Sequence, residues 1–356
     1  MKSVDRYVAY VSSYTMGSKE NYGIHIYNVD MENGYLQEKK QVSISNSSYI
    51  SVSHNRRFLY SITDMGVESY RIEAGGDLTP LNLQSINGMR GSYLSTDYTD
   101  SWLFVAGYHD GKVTVLKLNP DGSVGPVTDE IFHKGLGSVV ERNFRPHVQC
   151  VKMTRDNRFL CAADLGMDHV VIYSFDPEKG KLKQADIIHC DLESAPRHLK
   201  FSEDGKFLYI VCEQKCSIEV YSYSYRNGNP EFERIQSIST LNKYHTESCA
   251  ASALHLSEDC RYLISSNAGD NSAVMFYMNR ETGELTRSFC LPISGEYPKD
   301  AALFPDNRHL VSINHESNDM TFFNVDIEKG LIILHGKRIR IDRPNCIIFH
   351  RIRGES

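Results

Sequence analysis

A chain turning from one strand to the next needs only short polar groups, so long charged side chains at such places call for another reason. Arg197 and Glu213 are two of these. The sequence offers further groups able to hold or move a proton, His147, His198, Asp64, Asp164 and Asp300, and one more cation, Lys299. A carboxylate or imidazole that takes a proton, beside a cation that holds the anion so formed, is a minimal set for proton-transfer chemistry at oxygen. These residues are scattered along most of the chain, so they form one site only if the fold gathers them.

Six similar segments supply such a fold. They read His54-Asn-Arg-Arg-Phe-Leu59, Thr99-Asp-Ser-Trp-Leu103, Arg155-Asp-Asn-Arg-Phe-Leu160, Glu203-Asp-Gly-Lys-Phe-Leu208, Glu258-Asp-Cys-Arg-Tyr-Leu263 and Pro305-Asp-Asn-Arg-His-Leu310. The shared leucine recurs at intervals of 44 to 57 residues. A period of this size carrying only strand signals is that of a β-propeller blade. Each core leads into a second alternating run and a turn, as in Val170-Val-Ile-Tyr-Ser-Phe175 before Asp176-Pro-Glu-Lys-Gly180. Alternation buries one face, and glycine supplies the positive φ of the turn. No segment keeps a long 3.6-residue period, so helices should be few and short.

The stretch Tyr7 to Leu36 is an incomplete unit, and the tail Ile339 to Ile352 holds one more strand-like run, Asn345 to His350. Pairing the two in a composite blade closes the ring and removes an exposed sheet edge. The expectation is all-β: one seven-bladed β-propeller with four-stranded blades over residues 1–356.

In a propeller the innermost strands line a central channel, and the loops entering them converge on one mouth. Before those strands stand Asn46-Ser-Ser-Tyr49, Arg90-Gly-Ser-Tyr93, Arg145-Pro-His-Val-Gln149, Ala195-Pro-Arg-His198, Ser252-Ala-Leu-His255 and Tyr297-Pro-Lys-Asp300. At the second-strand ends stand Thr63-Asp64, Gly107-Tyr-His109, Ala163-Asp-Leu-Gly166, Cys212-Glu213, Asn267-Ala268 and Asn314-His315. Aspartates and asparagines at strand ends also serve loop backbone donors, which competes with any chemical role for Asp64 and Asp164.

At these residues the chain resembles the lactonase family of seven-bladed propellers, which includes the propeller-type 6-phosphogluconolactonases and the carboxy-muconate lactonizing enzyme. The resemblance covers nearly the whole chain. Its motifs are Tyr10-Val-Ser-Ser-Tyr-Thr15, Gly23-Ile-His-Ile-Tyr27, Pro146-His147, the segment from Arg155 to Gly166, Ala195-Pro-Arg-His-Leu199, the segment from Phe201 to Glu213, and Tyr297-Pro-Lys-Asp300. The resemblance puts the family's active-site Arg on Arg197 and its Glu on Glu213. The family's catalytic His aligns with Gln149, and only the preceding His147 is kept. Ala253 and Ala268 stand where the family has Glu and Arg.

The resemblance implies hydrolysis of a sugar lactone, 6-phosphogluconolactone, in the pentose phosphate pathway, by a cytoplasmic enzyme. Glu213 is then the base, directly or through His147, and Arg197 the oxyanion clamp. By the period of two, His147 shares a strand face with Gln149, which can orient water. Tyr108, Asp164, His255 and Asp300 are further candidates for substrate contact, and Lys299, His198 and Arg145 for a phosphate. The losses at Gln149, Ala253 and Ala268 support a rival, a binding propeller with a decayed site. A third reading is a lactonizing enzyme acting on a dicarboxylate with the same Arg and Glu.

The net charge of −6 gives no general attraction to nucleic acid or anionic lipid. No apolar run reaches the roughly 18 to 20 residues of a membrane span, and Met1 to Tyr14 has no signal-peptide core. Nine cysteines without framework spacing read as reduced, packed residues, and Cys212-x3-Cys216 is a weak metal signal. Asp156-Asn157 and Asp306-Asn307 read as hairpin turns rather than calcium loops. Phosphate-binding glycine loops, His-Glu-x-x-His and Gly-x-Ser-x-Gly are absent. The expected partner is a small sugar lactone, with no cofactor and no metal; no pattern sets an oligomeric state.

Overall fold

The computed structural model describes residues 6–16, 21–137, 144–242 and 250–352. Among them the chain forms 28 strands, β1 to β28, and no helix. The strands make seven antiparallel sheets of four. Six sheets use consecutive strands. Their innermost members are β4 (Ile50–Val52), β8 (Tyr93–Thr96), β12 (Val148–Met153), β16 (Pro196–Phe201), β20 (Ala251–Leu256) and β24 (Pro298–Leu303). The seventh sheet places β28 (Pro344–Ile352) innermost, against β1 (Arg6–Ser13), then β2 (Gly23–Asp30) and β3 (Tyr35–Ser43). Arg6 faces Ile352 across this closure and Ser13 faces Pro344. Innermost strands of neighbouring blades touch all the way round, with β28 against β4.

The composite blade is therefore present, with two changes of boundary. Ile339 belongs to the outermost strand of the preceding blade, where it faces Met320, and the first blade runs on to Ser43. A polar break, Asp342-Arg343, separates the two strands of the tail.

The repeated leucine marks the middle layer. Leu59, Leu103, Leu160, Leu208, Leu263 and Leu310 are all fully buried. The second strand of each full blade, such as β17 (Phe207–Cys212), is buried along its whole length because neighbouring blades cover both faces. It therefore reads as a continuous apolar run rather than an alternation. The outermost strands face solvent and alternate weakly. Three residues before each shared leucine the backbone turns left-handed, with φ 57° at Asn157 and Asn307 and 76° at Gly205. Asparagine and glycine tolerate that conformation best. Leu208→Ala should cost about 2–5 kcal/mol by leaving a cavity between two blades; equilibrium denaturation measures it, and a loss below 1 kcal/mol would contradict this packing.

Among the described residues seven cysteines are free thiols, but Cys216 is disulfide-bonded, which corrects the expectation of reduced cysteines throughout. Pairing needs Cα atoms within about 7 Å, a tertiary condition that chain spacing does not report. Among the described residues no group of three or more His, Cys, Asp or Glu could hold a metal ion, and no helix is long and apolar enough to cross a membrane.

Candidate active site

The ladder between the first two strands of a blade slips at the channel mouth. In β12 the slip falls between Val148 and Cys150, in β16 between Pro196 and His198, in β24 between Pro298 and Asp300, and in β28 at Asn345. Each slip is a β-bulge, which adds one unpaired residue and re-aims its side chain. The bulged residues are Gln149, Arg197, Lys299 and Asn345. Ser252 holds the same place in β20, where the slip lies between Ala251 and Leu254. Ser48 and Ser92 are their counterparts just ahead of β4 and β8. Each of the six in full blades stands eleven positions before its blade's shared leucine, as Arg197 does before Leu208.

Most of this ring is spent on joining blades. Ser48 Oγ donates to Gly91 O (2.9 Å), Ser92 Oγ to Gln149 O (3.3 Å) and Ser252 Oγ to Lys299 O (2.9 Å). Lys299 Nζ donates to Asn345 Oδ1 (3.1 Å), and Asn345 Nδ2 to Ser47 O (3.0 Å). Two neighbouring members stay out of the belt. Among the described residues the Gln149 amide makes no hydrogen bond, while Arg197 turns to Glu213.

Glu213 follows β17, and its backbone is pinned by Glu213 N donating to Ala195 O (2.8 Å). Its side chain is 6% exposed and that of Arg197 20%. Arg197 Nη1 donates to Glu213 Oε2, whereas Arg197 Nε is buried with no hydrogen-bond partner. A buried donor left unmade costs about 1–3 kcal/mol.

These groups open on a cavity of about 320 Å³ at the channel mouth, within the size range of small-molecule sites. Its wall includes Arg90, Gln149, Arg197, Glu213, Lys299 and Tyr108. Tyr14 stands between two cations, its ring 4.8 Å from the Arg90 guanidinium and 5.0 Å from Lys299 Nζ. Arg90 is held by Asp64 at 2.8 Å. Burial, then the nearby Arg197 and Arg90, bring the Lys299 ammonium down to about 7. The floor is one residue further along each strand. There His198 packs edge-on against Tyr49 and Tyr93, with ring centroids 5.9 and 5.2 Å away. Burial and the Arg197 charge push His198 well below its ordinary range, so it is neutral.

The cavity thus gathers Glu213, Arg197, Gln149, His198, Tyr108, Lys299 and Asp300. Three other candidates stand behind its wall. His147 Nδ1 donates to Tyr108 O (2.8 Å), and the imidazole stacks on the Tyr108 ring. The bulge at Gln149 breaks the period of two, so His147 and Gln149 do not share a face. Asp164 is fully buried, accepts from His147 N and Gly166 N, and pairs with His133 at 2.7 Å. His255 lies deeper in the channel, 2.7 Å from Asp300. Arg145 is exposed against Phe144 and does not line the cavity. Arg90, Tyr14, Asn345 and the two serines are contributors that residue type alone did not single out. The eleven-residue offset from the shared leucine would have found Ser48 and Ser92.

The model of the lactonase family with a seven-bladed β-propeller matches residues 8–349. The 6-phosphogluconolactonase of Bacillus subtilis is 31% identical over 350 residues, covering 97% of this chain and 98% of that protein. The 6-phosphogluconolactonase of Formosa agariphila is 29% identical, over 90% of this chain and 93% of its own. The solved structure of the periplasmic gluconolactonase of Pseudomonas aeruginosa superposes with a TM-score of 0.90 at 27% identity, covering 98% of this chain and all of that one. Ring, closure and sequence agree over the whole length: the chain belongs to the lactonase family of seven-bladed β-propellers.

Proposed function

We propose that this protein hydrolyses a sugar lactone, with 6-phosphogluconolactone as substrate. The observation that carries the reading is the pair Arg197–Glu213, set apart from the interblade belt and lining a polar cavity. Glu213 takes a proton from water as the water oxygen bonds to the lactone carbonyl carbon. The carbonyl oxygen gains negative charge, which Arg197 holds. The bond to the ring oxygen then breaks, and Glu213 returns the proton to the leaving alkoxide, so the product is an open-chain hydroxy acid. Gln149 orients the water through its free amide and needs no proton of its own. His147 acts only by holding Tyr108.

Arg90 and Lys299, on either side of the Tyr14 ring, form a second positive region of the cavity wall, suited to a phosphate. That contact separates a phosphorylated lactone from a plain one. Lys299→Met should raise KM for 6-phosphogluconolactone about 10- to 100-fold, the worth of a charge-assisted hydrogen bond, and leave KM for gluconolactone nearly unchanged. Equal effects on both would remove Lys299 from phosphate recognition. The same variant reports on stability. The unfolded chain keeps this proton up to about pH 10.4, whereas the folded chain releases it near 7. Between those values the unfolded state binds more protons, so the contribution of Lys299 to stability grows with pH. Lys299→Met should flatten that slope in denaturation measured from pH 7 to 10.

The direct test is hydrolysis of freshly generated 6-phosphogluconolactone against its spontaneous opening. A saturable acceleration supports the reading. No acceleration by folded protein, on this lactone or on gluconolactone, would favour a binding propeller. We place the enzyme in the cytoplasm, where a phosphorylated sugar lactone would be met.

A further inference from the structure

Deeper in the channel, three neighbouring blades carry a cationic or imidazole side chain at one level. Lys152 faces Cys161, Lys200 faces Tyr209 and His255 faces Ile264, in each case two ladder positions below the channel mouth's floor residue. Both lysines lie on innermost strands that touch, β12 and β16, and each is the partly exposed residue in an otherwise buried stretch of its strand. Among the described residues neither ammonium has a carboxylate within ion-pairing distance or a hydrogen-bond acceptor. The carboxylate at this depth, Asp300, is committed to His255 and to the backbone N–H groups of Ala301 and Ile347. The nearby thiols cannot replace it: burial raises Cys150 to about 11 and Cys346 to about 12, so both stay neutral. Below the pair Arg155 donates to Ser202 O, and His54, lowered to about 4 by burial and by Lys152, is neutral. Burial, then the Lys200 charge, bring the Lys152 ammonium down to about 7, and burial lowers Lys200 against the opposing pull of Asp300.

Two ammonium groups at one level of the channel, with no carboxylate in contact, offer donors that one small oxyanion can take up together. We propose that Lys152 and Lys200 form a binding site for a small tetrahedral oxyanion, of the phosphate or sulfate class, that bridges two neighbouring blades. The site is separate from the Arg197–Glu213 cavity and adds stability to the ring rather than chemistry.

Thermal unfolding of the whole protein, with and without inorganic phosphate at constant ionic strength, tests it. At about a hundredfold excess over Kd, phosphate should raise the Tm of the unaltered protein by on the order of 4 °C. Lys152→Met and Lys200→Met should each abolish the rise, and in phosphate-free buffer each should melt above the unaltered protein, because repulsion is gone. Arg197→Ala and Lys299→Met should keep the rise. No rise in the unaltered protein would overturn the proposal. So would a rise that survives both channel variants, or one lost only when Arg197 or Lys299 is replaced, since the anion would then sit at the mouth.

Discussion

Glu213→Gln is expected to lower kcat for lactone opening by about 10²- to 10⁴-fold, the usual worth of a positioned general base. Glutamine keeps the size of the side chain and an oxygen that can accept from Arg197 Nη1, so the cavity wall should hold its shape. What it loses is the ability to take the proton of water. The deficit should therefore appear in kcat with KM nearly unchanged, the pattern of an interaction made in the transition state. Near-normal turnover in this variant would dismiss Glu213 as the base. The role would then pass to Lys299, which burial and the neighbouring guanidinium groups hold at about 7, in the same cavity.

Arg197→Met has two expected consequences that separate its roles. Loss of the donor to the developing oxyanion should cost about 10²- to 10³-fold in kcat. Loss of the charge leaves the Glu213 carboxylate, 6% exposed, without its cation. Breaking a buried pair from one side typically costs about 3–5 kcal/mol; with Arg197 one-fifth exposed, the lower end applies. The double variant Arg197→Met with Glu213→Gln should recover most of the stability and none of the activity, a coupling that a double-mutant cycle reads directly. A single variant as stable as the unaltered protein at pH 7 would mean that the pair carries no buried charge worth stabilising.

The interblade belt leaves positions 149 and 197 out of the work of holding the ring together. Five of the seven ring positions are hydrogen-bonded to the next blade, so the scaffold around Gln149 and Arg197 is held by other residues. Changes at those two positions can alter chemistry without loosening the ring. Lys299, Asn345 and Ser252 stand at bulges of their ladders, and Ser48 and Ser92 just ahead of their strands.

The fold was legible in the residues because its information is local and repeated. A turn with Asp, Asn or Gly, then an aromatic residue and a leucine, specifies a hairpin leading into a strand covered on both faces, and Leu59 to Leu310 are buried for that reason. Ring closure by Asn345 to His350 was legible too, since an unfinished first blade and a spare terminal strand leave one economical pairing. Arg197 and Glu213 were legible because long charged side chains at strand ends have no use in a turn. The tertiary structure alone decided the rest. A bulge is one extra residue in a ladder, and alternation read along a strand carries no mark of it; hence His147 was expected beside Gln149 and is found behind Tyr108. Arg90 and Tyr14 join the site through contacts between blades far apart in sequence. Asp164 and His255 are drawn away by partners, His133 and Asp300, that are likewise distant in the chain. Local pattern determines which strands form and which face is buried, whereas the direction of a polar side chain at the channel depends on the partner that closure of the ring brings to it.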